Sequence, residues 1–274
     1  MYIARTNSTN TLLKELLAKG EWPANDTFIR AGYQTAGRGQ TGNGWESEEG
    51  KNLLCSVLVE TQKTKDKSPF FLNVTISVAV CLLVKRSLSE SGLCSLSEAV
   101  SIKWPNDIYW QDKKVAGILI ENAIIGNELK YSIAGIGLNV NQTEWHSDAP
   151  NPISLKQITG EEHDLDELMC ALMRVINKVL EEPKETVWDY YKAHLYRKDG
   201  FWPFVERPVS IAPTMNATTN DNAFMAHIED VLPTGEIVLR DENNQQRIYL
   251  FKQIRYVTVS PSNGETLDGR GTNN

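Results

Sequence analysis

The sequence predicts an α+β fold: a mixed, mostly antiparallel sheet carrying helices, followed by a small C-terminal β-barrel. Three observations predict it. The central stretch 100–141 is a succession of strands joined by short turns, which pair antiparallel and leave no β-α-β alternation. Long helical segments flank it at 68–92 and 164–182. From Val209 to Val259 the pattern changes to short β runs separated by turn residues, a small all-β unit of roughly fifty residues. The domain reading is a large unit over 1–200, a small one over 201–260, and a tail over 261–274. That tail has almost no apolar residues and is expected to be disordered.

The elements follow in order. "STNTLLKELLAKG" reads as an opening helix, with Ser8 or Thr9 as its cap, a stripe of Leu12, Leu13, Leu16 and Leu17, and Gly20 at its stop. "TFIRAG" is a short strand, and the apolar run 52–60 is a buried one. The segment 68–92 carries Pro69 near its first turn and Gly92 past its end, the expected asymmetry of a helix. "VSIKWPNDIYW" is a strand running into a proline turn. "KKVAGILIENAI" and "LKYSIAGIGLNVN", joined by the turn "IGNE", form an antiparallel pair. Helices resume over 164–182 and 184–197.

Composition narrows the function class. The 274 residues are 41% hydrophobic and 23% charged, an ordinary globular balance. A net charge of −7 argues against a general nucleic-acid binder, which needs a basic surface. The four cysteines form no C-x-x-C pair, so no zinc knuckle or redox motif is read. Cys55, Cys81 and Cys170 sit in apolar runs and are expected to be buried. No signal-peptide pattern and no uncharged apolar run of 18 residues is present, so the reading is cytoplasmic, with no membrane.

The stretch "QTAGRGQTGNGW" places Gly37, Gly39 and Gly42 in the spacing G-x-G-x-x-G. A dinucleotide fingerprint needs these glycines to open a helix. Here Asn43, Gly44, Trp45, Glu46 and Ser47 follow, and the next element is a strand, so the context fails. Two readings remain for the loop. Either its glycines let the backbone approach an anion, with N–H groups forming a nest and Arg38 reaching a carboxylate or phosphate, or it is a surface Ω-loop with one solvated arginine.

Four further stretches decide between them: "STN" at Ser8 to Asn10, "KWPND" at Lys103 to Asp107, "KVAGILIE" at Lys114 to Glu121, and "GIGLNVN" at Gly135 to Asn141. In this order and spacing, together with the glycine loop, the sequence resembles the biotin–protein ligases over nearly its whole length. The resemblance implies an SH2-like catalytic core over 1–200 and an SH3-like C-terminal domain. It implies ATP with Mg²⁺, biotin as substrate, and a biotin carboxyl carrier protein as partner. It also implies two steps: biotin carboxylate and ATP give biotinyl-5′-AMP and pyrophosphate, and a carrier lysine then takes the biotinyl group, releasing AMP. Such chemistry needs fixed cations and N–H donors more than an enzyme nucleophile. The motifs offer Arg38, Lys103 and Lys114, and no Ser-His-Asp or Cys-His arrangement beside them.

Under this resemblance Arg38 and Lys114 are the catalytic pair, bringing the biotin carboxylate and the α-phosphate together. Biotin is bound by Ser8, Thr9, Asn10, Gln34, Gly37, Arg38, Gly39, Gln40, Lys114 and Gly117. ATP is bound by Arg38, Asn43, Trp45, Lys103, Asn106, Asp107 and Asn139. Hydroxyls and amides suit the small neutral ureido ring, Gly117 lets a ligand lie close to its strand, and Trp45 offers an apolar face to adenine. No dedicated metal cluster is expected, Mg²⁺ being held mainly by phosphates and water. Blander roles stand beside these. Ser8 and Thr9 suit a helix N-cap, Lys114 a solvated turn, Asn106 and Asp107 an Asx-turn after Pro105, and Asn139 a strand-end cap. Glu121 reads as a buried, paired carboxylate.

Two departures from the family pattern are specific. Where many members read GRGRxGRxW, Gln40 and Asn43 replace arginines, which predicts a leakier adenylate. The "STN" motif begins at residue 8, leaving no room ahead of it for a helix-turn-helix, which predicts no operator binding. The oligomeric state is left at monomer or homodimer. The rival readings are a lipoate- or octanoate-transferring relative and a non-catalytic binder on the same fold.

Overall fold

The computed structural model describes residues 1–22, 28–40, 43–60, 68–126, 128–147, 149, 151–207 and 223–257. Gly42, the 208–222 part of the small unit and the tail over 261–274 lie outside the described residues. The larger sheet has seven strands in the order β1-β2-β3-β7-β6-β5-β4. They are β1 (Tyr2–Thr6), β2 (Phe28–Gln34), β3 (Leu53–Glu60), β4 (Val100–Lys103), β5 (Asp107–Trp110), β6 (Lys113–Ile125) and β7 (Glu128–Leu138). Only β1 and β2 pair parallel, so the sheet is mixed and mostly antiparallel as expected. The glycine loop joins β2 to β3, which removes the strand–loop–helix context that a dinucleotide site requires.

Helices cover both faces. Helix α1 (Thr9–Lys19) lies on one, its Leu13 buried with Ile29 of β2 and Ile133 of β7. Gly20 ends it in the left-handed conformation at φ +69°, which a glycine adopts without steric cost. Ser8 stands at its N-cap, yet its side chain makes no capping hydrogen bond. Helix α2 (Pro69–Glu90) lies on the other face and is apolar all round because it is surrounded. It is long and apolar enough to cross a membrane by length and composition, but the fold uses it as the central rod of the core.

A single turn, α3 (Cys94–Ser97), leads into β4, and a second short helix, α4 (Leu155–Thr159), follows β7. Helices α5 (Leu165–Glu181) and α6 (Lys184–Ala193) pack against α2. Asp164 caps α5 by accepting from the backbone N–H groups of Asp166 (2.8 Å) and Glu167 (2.9 Å). Helix α5 buries only one stripe, Leu168, Met169, Leu172, Ile176 and Val179. Cys170 is turned away from that stripe and exposed, which corrects the expectation that it is buried; Cys55 and Cys81 are buried.

The small unit is an antiparallel five-stranded sheet, order β11-β10-β9-β8-β12. Its strands are β8 (Trp202–Glu206), β9 (Ala223–Val231), β10 (Ile237–Asp241), β11 (Gln246–Tyr249) and β12 (Ile254–Tyr256). Glu206 on β8 accepts hydrogen bonds from Arg247 (3.2 Å) and Tyr249 on the far edge strand, so the sheet curls on itself. It is fastened to the large unit through the proline turn. Trp104 Nε1 donates to Gly235 O (3.0 Å), and Phe251 packs edge-on against the same indole.

Candidate active site

The cavity begins with side chains that are missing. Along β6 and β7, Gly117 pairs with Gly137, and Leu119 with Gly135. Alternation places Gly117, Gly135 and Gly137 on the face that α1 covers, just beyond the helix N-terminus. The bare patch floors a cavity of about 540 Å³, within the size range of small-molecule sites. Each glycine is required by what lies on it. A Cβ on Gly135 would meet Asn10 Oδ1 at 2.5 Å, and one on Gly137 or Gly117 would meet the Trp45 indole at 2.4 and 2.8 Å.

One end of the cavity is neutral and interlocked. Gln34 Oε1 accepts from the Thr9 backbone N–H (2.8 Å) and from Thr9 Oγ1 (3.2 Å). Ser56 Oγ is within hydrogen-bond reach of both Thr9 Oγ1 (2.7 Å) and Asn10 Oδ1; its single proton serves one at a time. Asn10 Nδ2 donates to Glu121 (2.7 Å), which also receives Lys14 (2.6 Å) and lies 3.5 Å from the Arg38 guanidinium. Partial burial pushes the Glu121 carboxyl upward. The hydrogen bonds from Lys14 and Asn10 and the charges of Lys14 and Arg38 outweigh it, so the group ends below the ordinary range.

The other end is cationic. Lys114 pairs with Asp107 at 2.8 Å and sits over Trp45. Lys103 donates to Tyr109 OH (2.9 Å), and burial pushes its ammonium down to about 8 against the opposing charge of Asp107. The turn between Lys103 and Asp107 holds a cis Trp104–Pro105 bond and is braced by amides. Asn106, 4% exposed, donates to Asn73 Oδ1 (2.7 Å) and Ile118 O (3.1 Å) and accepts from Gln40 (2.9 Å). Asn106 therefore ties the glycine loop to the turn.

Of the residues singled out in the sequence, Ser8, Thr9, Asn10, Gln34, Arg38, Gly39, Gln40, Asn43, Trp45, Lys103, Asn106, Asp107, Lys114 and Gly117 line this one cavity. Gly37 and Asn139 do not. Gly37 closes the loop, accepting from the Trp45 N–H (2.9 Å), and has no room for a Cβ beside Trp45. Asn139, 2% exposed, turns its amide onto Lys114 O (3.3 Å) and Ile153 O (3.2 Å). Of its two readings the strand-end tie describes the geometry, because the chain over 151–155 crosses and covers it. Among the described residues of the loop, the N–H groups of Gly39, Asn43 and Trp45 each donate to a loop carbonyl. Sequence reasoning missed Ser56, Gly135 and Gly137. Alternate glycines inside an apolar strand were the available signal for the last two.

Among the described residues no three His, Cys, Asp or Glu side chains cluster as a metal cage, and Asp107 is the carboxylate that lines the cavity. Such a wall fits a cation delivered with a nucleotide, not one held by protein alone.

The sequence profile of the Biotin/lipoate A/B protein ligase family matches residues 2–139, the stretch that supplies the floor, the neutral end and Lys103, Asp107 and Lys114 of the cationic end. The chain belongs to that family. Its relatives include the bifunctional ligase/repressor BirA of Bacillus spizizenii, 27% identical over 232 residues, 81% of this chain and 64% of the relative. They also include the biotin–[acetyl-CoA-carboxylase] ligase of Mycobacterium tuberculosis, 30% identical over 176 residues, 63% of this chain and 60% of the relative. The chain thus matches 60–64% of the length of these relatives. The Aquifex aeolicus biotin protein ligase, solved in complex with biotin and ATP, superimposes with a TM-score of 0.66 at 23% identity, over 94% of this chain and 98% of that one. That likeness concerns the fold, and the small sheet falls within its span.

Proposed function

We propose that this chain is an ATP-dependent ligase that activates biotin as biotinyl-5′-AMP and transfers it to a lysine of a biotin carboxyl carrier protein. One observation carries the reading: a single cavity joins a neutral hydrogen-bonding end to a cationic end across a floor of glycine backbone on which Asn10 and Trp45 rest. Thr9, Asn10 and Ser56, all buried, and the half-buried Gln34 offer hydroxyls and amides to a ureido ring. A dithiolane or an alkyl chain offers nothing to the hydrogen-bonding capacity that these groups still have beyond one another, which favours biotin over a lipoate or octanoate substrate. Two cations, Arg38 and Lys114, beside the same floor suit a reaction that brings two anions together, which favours a ligase over a non-catalytic binder.

In the first step the biotin carboxylate oxygen bonds to the α-phosphorus of ATP and pyrophosphate leaves. Lys114 and Arg38 lower the repulsion between the two anions, and Trp45 flanks the place where they meet, offering its face to the adenine. MgATP would bring its own metal, and Asp107, the carboxylate in the cavity wall, would help hold it. In the second step the carrier's lysine nitrogen, having lost a proton, bonds to the activated carbonyl carbon and AMP leaves. Here Lys114 and Arg38 hold the departing phosphate.

The test is exchange of labelled pyrophosphate into ATP. Exchange that depends on biotin and is absent with lipoate is expected; exchange with neither would leave only a binder.

A further inference from the structure

The two-step reaction described above makes no use of Glu121, yet helix, loop and sheet all meet on this carboxylate. Glu121 stands on β6, on the same face as Gly117 and four residues further along, so it flanks the cavity floor without lining the cavity. Three donors reach its two oxygens. Asn10 Nδ2 (2.7 Å) and the Arg38 guanidinium (3.5 Å) share Oε2, and Lys14 Nζ (2.6 Å) takes Oε1. Asn10 and Lys14 belong to α1, and Arg38 to the glycine loop. The partners differ in their access to water. The Lys14 and Arg38 side chains are nearly half exposed, whereas Asn10 is buried.

Each contact has its own consequence. A carboxylate accepts hydrogen bonds and donates none. Asn10 must therefore turn Nδ2 toward Glu121, which leaves Oδ1 facing Ser56 Oγ and the bare backbone of Gly135 in the cavity floor. The opposite amide orientation would set a carbonyl oxygen against the carboxylate. Glu121 thus decides which atom of Asn10 meets a ligand, and it selects the acceptor, the atom that suits the N–H of a ureido ring. Arg38 is restrained more loosely. Its guanidinium donates to Thr11 Oγ1 (3.0 Å) and is drawn by the charge of Glu121, so the loop's cation is kept over the first turn of α1.

We infer that Glu121 is a positioning residue that serves both reactants: its hydrogen bond sets the Asn10 amide for the ring of biotin, and its charge holds Arg38 for the reacting anions. The inference rests on the ligase reading. The two roles are separable by substitution. A glutamine accepts from Asn10 through its amide oxygen but carries no charge, and its NH₂ group can face Lys14, which turns into solvent. A leucine does neither.

The test measures pyrophosphate exchange and, separately, direct titration with biotin. Glu121→Leu should raise both the KM and the Kd for biotin by about tenfold or more, as expected for losing a hydrogen bond to a charged group. It should also lower the kcat of exchange about threefold to fivefold, the range for a partly exposed ion pair. Glu121→Gln should return the biotin constants to within about twofold of wild type while kcat stays lowered as in the leucine variant. That split distinguishes positioning from support of the fold, which would move KM and kcat together. Wild-type affinity for biotin in Glu121→Leu would overturn the inference. So would a wild-type kcat in Glu121→Gln, or a KM for biotin raised as far in Gln as in Leu. A wild-type protein without biotin-dependent exchange would sink the ligase reading, and the Kd values of the two variants would still decide for or against the hold of Glu121 on Asn10.

Discussion

The two ends of the cavity are built on opposite plans. At the neutral end Thr9, Asn10, Gln34 and Ser56 come from three elements, are buried or half-buried, and hold one another. At the cationic end the side chains come from a loop, a turn and a second sheet, and several reach solvent. The contrast follows from what each end must recognise. A neutral ring is told from its competitors only by hydrogen bonds fixed in advance, since an unmatched buried donor or acceptor is expensive. A polyphosphate is attracted at a distance and tolerates mobile partners, provided the charges are there.

The comparison can be broken at several points, the largest effect first. Lys114→Ala should lower biotin-dependent pyrophosphate exchange by about a hundredfold or more, because it removes a cation from the reacting centre and leaves Asp107 unpaired. Near-normal exchange would remove Lys114 from the mechanism. Gly135→Ala strikes the neutral end alone: its Cβ would stand 2.5 Å from Asn10 Oδ1. It should raise the KM for biotin by roughly tenfold with little change for ATP, and lower stability by about 1–3 kcal/mol in a denaturant titration. Equal effects on both substrates would mean that the two ends are not separable.

Gln40→Arg should slow the dissociation of biotinyl-AMP several-fold, measured by chase with unlabelled biotin. An unchanged rate would show that the loop's missing charge is immaterial. The smallest effect concerns pH. Burial holds the Lys103 ammonium at about 8, below its ordinary value of 10.5. Its charge is therefore full below pH 8 and is lost as pH rises through that value, so the KM for ATP should climb a few-fold between about pH 7 and 9. Lys103→Arg, which does not titrate there, should flatten the climb. For stability the sign is opposite. The unfolded chain holds this proton up to about 10.5, so the folded state's handicap is complete below 8 and is relieved above it.

Much of this was legible because it is local. Pro69, Asp164 and Gly20 mark helix ends through their own backbone chemistry, and the hairpin of β6 and β7 is written in two apolar runs and one turn. What was not legible depends on partners far along the chain. β1 takes its form from parallel pairing with β2 and had no signal of its own. Asn139 was aimed by a segment that crosses it, and a helix period hid the exposure of Cys170. Arg207 and Arg255, which line the cavity, look like ordinary surface cations until Trp104 and Gly235 bring the small sheet onto the proline turn. The neutral end was found by residue type, but the hydroxyl that joins Thr9 to Asn10, Ser56, sits unremarked in a strand.

Helix α2 has one more consequence, and it concerns time. The chain is made from its N-terminus, and residues 69–90 emerge before β6, α5 and α6, which pack against them. During synthesis the most apolar rod in the molecule therefore waits, uncovered on the sides those elements will occupy, until the ribosome has reached residue 193. The order in which this core is written finishes its centre well before most of what shelters it.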